Sequence, residues 1–186
     1  VGLTVTTLSV TGSAVIGASS GFFGGKFDLI VQRWVDAYTA YPGLILLITL
    51  MSIVGRGLVQ VILVLGLSGA VGGGRGIRSW VIAIKESDYV LASEAVGNTR
   101  LRTLFRHVLP NIAALIIIGF SMSIGGVIMS LASLGFLGYG LPFDVPDWGG
   151  MLSREGRQYM EAEPRLALLP GLALTITIYS LNMFGD

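Results

Sequence analysis

Few side chains in this sequence could hold a phosphate, bind a metal or move a proton, and their spacing decides against each chemistry in turn. The string Gly24-Gly25-Lys26-Phe27 comes nearest to a phosphate-binding loop. Such a loop needs a glycine, four residues and then Gly-Lys-Ser/Thr, because backbone amides and the lysine cradle the phosphates while the hydroxyl reaches magnesium. Ser20 stands where the first glycine belongs and Phe27 where the hydroxyl belongs, so no ATP site is expected in this chain. His107 is the only histidine and there is no cysteine, which removes His-based metal clusters, thiolate sites and disulfides. As a helix-flanking residue His107 reads as solvated or interfacial. Asp144, Asp147, Glu155, Glu161 and Glu163 are scattered among arginines and read as a solvated loop, not as an acid–base pair. The expectation is a non-enzymatic chain with no catalytic, cofactor-binding or metal-binding residue.

The elements that carry these residues are apolar. The 186 residues are 53% hydrophobic and only 12% charged, with a mean hydropathy of +0.77. Soluble domains carry roughly 25% charged residues, so half that share argues for lipid as the solvent. Charge is missing altogether from 1–25, Ala37–Gly55, Gly57–Gly74, Val108–Phe143 and Leu166–Gly185. A helix needs about 20 apolar residues to cross the hydrocarbon core. Five spans are therefore expected, at roughly 1–21, 38–55, 58–82, 109–134 and 166–184. The fold class is all-α, a polytopic transmembrane bundle forming a single domain over 1–186. The first apolar run is too long for a signal-peptide core and lacks a basic stretch before it. With both ends in apolar segments, the sequence reads as an internal piece of a longer protein. The net charge of +1 says little about partners; membrane lipid is the expected surroundings, and no nucleic acid is expected.

Five spans put Lys26, Arg33, Arg75, Arg78, Lys85, Arg100, Arg102 and Arg106 on one side and Arg56, Arg154, Arg157 and Arg165 on the other. The excess of basic residues marks the cytoplasmic side, so the segment 88–106 and the C-terminus are expected inside and the loop 135–165 outside. Small residues recur at four-residue intervals, Gly17-Gly21-Gly25 and Gly66-Ala70-Gly74, with Ser121, Gly125, Gly126, Ser130 and Ser133 in the fourth span. Such rows let helix backbones approach closely, and some of these faces could line a polar path. Gly55-Arg56-Gly57 predicts a tight hairpin, Gly72-Gly73-Gly74 a loosened helix, and Pro42 and Pro170 a first helical turn or a kink. Trp34, Tyr38 and Tyr41 read as interfacial aromatics. Pro142 and Pro146 rule out one continuous helix in the external loop, where 151–161 predicts a short surface helix exposing Met151, Leu152, Tyr159 and Met160.

The segment DYVLASEAVGNTRLRTLFRHVLP, Asp88–Pro110, is a charged, helix-forming stretch between apolar runs. Ser87 or Asp88 can cap a first helix, and Asp88 suits its dipole. Gly97 lies where a left-handed residue would end it, and Asn98 or Thr99 can cap a second. Leu101, Leu104, Phe105 and Val108 then form an apolar stripe, with Arg100, Arg102 and Arg106 turned away from it. Helix, glycine turn and helix make an elbow that can transmit a push from a soluble partner to a membrane helix. The rival reading from physics alone is an interfacial amphipathic helix on lipid headgroups.

This spacing resembles the coupling loop of binding-protein-dependent ABC importer permeases: Glu-Ala-Ala, three residues, glycine, nine residues, a hydrophobic residue, any residue, Leu-Pro. Ala92-Ser93, Gly97 and Leu109-Pro110 fill their places, while Leu91 stands for the glutamate and His107 for the hydrophobic residue. The flanking stretches FGGKFDLIVQRWVDAYTAYPGLILLITL, SLGFLGYGLPFDVPDWGGMLSREGRQYM and LALLPGLALTITIYSLNMFGD are similar to oligopeptide/dipeptide/nickel-type permeases, within them the second, C-type subunit. The resemblance implies a sixth, N-terminal span and a coupling surface on Asp88, Tyr89, Leu91, Ala92, Ser93, Glu94, Gly97, Asn98, Arg100, Arg102, Arg106, Leu109 and Pro110. Of these, Ala92, Ser93 and Gly97 would allow close approach and the arginines would make polar contacts. It also implies a second homologous permease subunit, one or two cytoplasmic P-loop ATPase subunits holding ATP and magnesium, an extracytoplasmic substrate-binding protein facing 135–165, and a prokaryotic cell membrane. The expected cargo is peptide, with nickel chelates or other small solutes behind it. Spans nearly free of charge weigh against an ion channel or a proton-coupled transporter. An ATP-independent secondary transporter or pore subunit is the alternative, and a purely structural membrane subunit a further one.

Overall fold

The computed structural model describes residues 1–142, 144–153, 158–159 and 161–185. Their helices are α1 (Gly2–Phe23), α2 (Gly25–Thr39), α3 (Gly43–Val54), α4 (Leu58–Lys85), α5 (Asp88–Ala95), α6 (Arg100–Thr103), α7 (Leu109–Phe136), α8 (Trp148–Ser153) and α9 (Arg165–Gly185). A π-helical turn, Leu104–Val108, joins α6 to α7. By length and apolar composition α1, α4, α9 and the continuous run Arg100–Phe136 can each cross a membrane. The chain is a multi-pass membrane protein of the expected all-α class.

The centre of the bundle is the pair α1–α4, and small residues are the reason it forms. Lipid tails are as apolar as leucine, so helices in a bilayer associate through close packing and interhelical hydrogen bonds. A Cβ on Gly17 would lie 2.5 Å from the Gly74 carbonyl oxygen and 2.8 Å from the Arg78 nitrogen. One on Gly21 would lie 2.9 Å from the Arg78 oxygen, and one on Gly12 2.5 Å from the Ala70 Cβ. Ser13 Oγ donates across this contact to the Ala70 carbonyl at 3.1 Å. The expected Gly66-Ala70-Gly74 row lies in the interface, whereas Gly25 begins α2 and has open space at its Cβ. Gly72-Gly73-Gly74 does not loosen α4. The helix runs through it, because Gly73 receives Ser13 and Gly74 receives Ile16; interhelical packing outweighs the local cost of glycine.

Two apolar clusters close the ends of the bundle. At the hairpin end Val5, Met51, Val61, Leu65 and Leu134 are buried together. At the opposite end Ala18, Phe22, Ile77 and Val81 meet Val90, Leu104, Val108 and Ile112. The second expected span, 38–55, is corrected. Only α3, 12 residues long, continues from Pro42, and α2 precedes it at a bend of 89°. Together they can count as one broken span. Pro42 sits at the N-cap of α3 and cannot donate to a continuing helix. Asp28 and Asp36 of α2 pair with Arg78 and Arg75 of α4. Pro170 lies inside α9. Trp34 and Tyr41 are exposed, whereas Tyr38 faces a cleft between the helices. Of the expected 151–161 surface helix, Met151–Ser153 belong to the described part of α8, with Met151 exposed, as is Tyr159; Met160 and 154–157 lie outside the described residues.

Candidate functional site

The elbow forms as the local sequence dictates. α5 ends with Val96 as its last αR residue and Gly97 at φ 91°. The Gly97 N–H donates to the Glu94 carbonyl at 2.9 Å and the Asn98 N–H to the Ser93 carbonyl at 3.2 Å. That pair of bonds is a Schellman motif, which needs the left-handed conformation that glycine adopts without strain. Thr99 caps α6, its Oγ1 accepting from the Arg102 N–H at 3.4 Å. Ser87 occupies the N-cap of α5, but its hydroxyl turns back and donates to the Ile84 carbonyl at 2.5 Å. Asp88 supplies the negative charge of the first turn.

Ser93, marked by the sequence as a small contact residue, turns inward. Its Oγ accepts from Asn98 Nδ2 at 3.0 Å and lies 3.3 Å from the hydroxyl of Thr103, which is fully buried. This link ties the two arms of the elbow together, and sequence reasoning missed Thr103 because a lone threonine on a short helix carries no spacing signal. Each such bond contributes about 1 kcal/mol. Ser93→Ala is therefore expected to raise amide hydrogen exchange over 97–104 about tenfold. Unchanged exchange would show that apolar packing alone holds the elbow.

The expected stripe Leu101, Leu104, Phe105, Val108 is split. Leu104 and Val108 are buried, while Leu101 and Phe105 are 57% and 65% exposed. The cause is Pro110, which lacks an N–H and whose ring crowds the carbonyl four residues earlier. The helix widens to a π turn just ahead of it, with the Leu109 N–H reaching the Leu104 carbonyl. The inward line becomes Thr103, Leu104, Val108 and Ile112. Val90 from one arm and Leu104 and Val108 from the other pack on Phe22 of α1 and Val81 of α4, with Leu109 beside them. Asp88, Tyr89, Leu91, Ala92, Glu94, Gly97, Arg100, Arg102, Arg106 and Pro110 remain on the outer surface, and Asn98 is half-buried.

Above the elbow, α1, α3, α4 and α7, with Tyr38 from the end of α2, surround an open cleft of about 590 Å³. Ser9, Ser13, Ser68, Ser123 and Ser130 line it with Gly72, Gly76, Gly126 and Trp80, and none of its lining residues is charged. A Cβ on Gly72, Gly76 or Gly126 would meet nothing within 4 Å. These glycines face empty space, unlike those of the α1–α4 contact; their signal in the sequence is a second four-residue interval, Gly72-Gly76. At the far end the Asp147 carboxylate accepts from the Gly150 N–H at 2.8 Å and caps α8, while Gly149 presses on the Ala132 backbone of α7.

A family profile described as "Binding-protein-dependent transport system inner membrane component" matches residues 13–186. The dipeptide transport system permease protein DppC of Alkalihalophilus pseudofirmus is 33% identical over 99% of this chain and 62% of its own length. The glutathione transport system permease protein GsiD of Pectobacterium atrosepticum is 34% identical over 92% of this chain and 56% of its own. The oligopeptide transport system permease protein OppC of Haemophilus influenzae is 29% identical over the whole chain and 60% of its own. The chain thus spans about three fifths of the length of the curated relatives it matches. Among solved structures, the MetNI methionine ABC transporter in an inward-facing conformation contains a chain of similar fold, with a TM-score of 0.75 at 22% identity, covering all of this chain and 89% of that one.

Proposed function

From the premise that the chain belongs to the family of binding-protein-dependent transport system inner membrane components, we propose that it is a permease subunit of an ATP-driven importer and forms part of the path for peptides or similar small solutes. The observation that carries this reading is the cluster joining the elbow to the bundle. Val90, Leu104 and Val108 are buried against α1 and α4, the two helices that also wall the cleft. A push on the outer face of the elbow therefore reaches the cleft walls through packed side chains, not through a flexible loop.

In this reading the elbow lies in the cytoplasm and its exposed face docks on an ATPase subunit that holds ATP and magnesium. Arg100, Arg102 and Arg106 make polar contacts there, and Leu91 with Tyr89 gives an apolar contact where the family pattern has glutamate. A second, homologous permease closes the other side of the path, and a binding protein delivers solute to the end that carries α8. An uncharged lining of serine hydroxyls and glycine backbone suits a cargo rich in amides. The dipeptide, glutathione and oligopeptide permeases among its relatives point to the same class.

The test is uptake by the full-length chain, assembled with its partner permease and ATPases in liposomes and supplied with the loaded binding protein. ATP-dependent uptake is the expected outcome. Uptake without ATP would replace the reading with a secondary transporter, and ATPase binding without solute-dependent turnover would leave a structural subunit. A second prediction concerns the cleft. At Gly72 and Gly126 a Cβ meets nothing within 4 Å and both positions line the open cleft, so Gly72→Leu and Gly126→Leu would fill the cleft and replace glycine inside a helix. The protein is expected to fold normally, with uptake down tenfold or more. Unchanged uptake in both variants would remove the cleft from the path.

A further inference from the structure

We propose that α2 is an interfacial helix that lies along the membrane surface at the elbow end of the bundle, with Phe27, Ile30 and Trp34 in the acyl-chain boundary and Lys26 and Arg33 on anionic lipid headgroups. The inference rests on the membrane reading of the fold and stands whatever the chain transports.

The first observation is depth. Arg75 and Arg78, which hold Asp36 and Asp28 of α2, lie 17 and 20 residues into α4 from Leu58. At about 1.5 Å per residue those two arginines lie some 26–30 Å along α4 from its hairpin end, about one hydrocarbon thickness, and α2 sits within reach of their side chains. The second is direction. α2 meets α3 at 89°, and α3 runs back to that hairpin, so α2 lies across the bundle axis at this depth.

The third observation is that α2 has three faces. The inward face is occupied. Arg78 Nε and Nη2 donate to the two Asp28 carboxylate oxygens at 2.7 and 2.5 Å, Gln32 Nε2 donates to Ser20 Oγ at 3.4 Å, and Val35 is buried. At about 100° per residue, Phe27, Ile30 and Trp34 share a second face within about 60° of one another, and Lys26 and Arg33 share a third, next to it. Phe27, Ile30 and Trp34 are all exposed, Trp34 by 76%, and the Arg33 side chain by 82%, although its Nη1 lies 3.7 Å from an Asp36 carboxylate oxygen. α2 and α4 together carry five basic residues, Lys26, Arg33, Arg75, Arg78 and Lys85, against two acids, Asp28 and Asp36. A flank of large apolar side chains beside a basic one, at the depth of the bilayer surface, is what an in-plane amphipathic helix presents to lipid. An exposed tryptophan at that level is the side chain most suited to the headgroup boundary.

These 186 residues contain no cysteine, so site-specific labelling requires only that cysteines elsewhere in the assembled transporter be replaced by serine. Phe27→Cys, Ile30→Cys, Trp34→Cys and Arg33→Cys, each in the full-length permease within its assembled transporter, would carry a nitroxide in vesicles of phosphatidylcholine with phosphatidylglycerol. Relaxation by oxygen, which partitions into lipid, and by a water-soluble nickel chelate reports depth. Labels at 27, 30 and 34 are expected to favour oxygen at shallow depth, and the label at 33 to favour nickel. Nickel access at all four would put α2 in water, and protection from both agents would mean that another protein covers it; either result overturns the proposal. Lys26→Gln with Arg33→Gln should also lower the selectivity of the surrounding lipid for spin-labelled phosphatidylglycerol over phosphatidylcholine at low salt, with the difference fading as salt rises. Unchanged selectivity would overturn the headgroup assignment of these two residues.

Discussion

Gly17→Leu is expected to lower the melting temperature of the purified protein by about 6–12 °C, or to abolish its recovery from the membrane. Overpacking a well-packed core costs typically about 1–3 kcal/mol because neighbouring side chains can shift. Here they cannot. A Cβ at this position would sit 2.5 Å from the Gly74 carbonyl oxygen and 2.8 Å from both the Arg78 nitrogen and the Ile77 Cβ, so α1 and α4 must move apart as backbones. Separation would also lengthen the bond from Ser13 to the Ala70 carbonyl and open the cluster around Phe22 and Val81. A cost of at least about 3 kcal/mol follows, and in a chain of this size each kilocalorie shifts the midpoint by about 2–4 °C. The control is Gly72→Leu, two residues before Gly74 on another face of α4, where a Cβ meets nothing within 4 Å; its melting point should hold or rise. Equal melting of the two variants would mean that the α1–α4 contact is looser than its geometry implies.

These two glycines also show what the sequence can and cannot convey. Runs without charge mark α1, α4, α7 and α9, because lipid tolerates almost no unpaired charge and the rule is absolute enough to read along the chain. The same rule misreads α2. Lys26, Asp28, Arg33 and Asp36 look like loop charges until Arg75 and Arg78 are placed beside them, and that pairing is a fact of tertiary structure. Gly72-Gly73-Gly74 looks like a weak point by local propensity, yet α1 packs on one side of it and a cleft opens on the other. Glycine spacing announces a close approach but not which partner makes it. In the elbow, the glycine turn and the Thr99 cap were legible because each is a local hydrogen-bond pattern. The Ser93–Thr103 link was not, since it joins two short helices whose angle only the fold sets. The apolar stripe was read at 3.6 residues per turn, and the π turn ahead of Pro110 shifted it, sending Leu101 and Phe105 outward.

That outward surface makes the glycine turn the most sensitive point of the proposed coupling. Gly97→Val is expected to leave the bundle folded, because the residue is exposed and a Cβ there meets nothing within 4 Å. Its φ of 91° is the difficulty. A β-branched residue in that conformation costs about 1–3 kcal/mol, enough for α5 to give up its Schellman bonds and re-aim the α5 arm. The anchors of the other arm, Leu104 and Val108, would still hold α1 and α4 while the docking face of α5 points elsewhere. The expected result in the assembled transporter is ATP hydrolysis that no longer responds to the loaded binding protein, with uptake reduced tenfold or more and the melting temperature little changed. Gly97→Asn provides the discriminating variant, since asparagine enters the left-handed region more readily than any β-branched residue. It should recover most of the coupling if the angle of the elbow is what matters. If asparagine and valine fail alike, the requirement at 97 is for the absence of a side chain against the partner, and the elbow acts through close approach instead of through its angle.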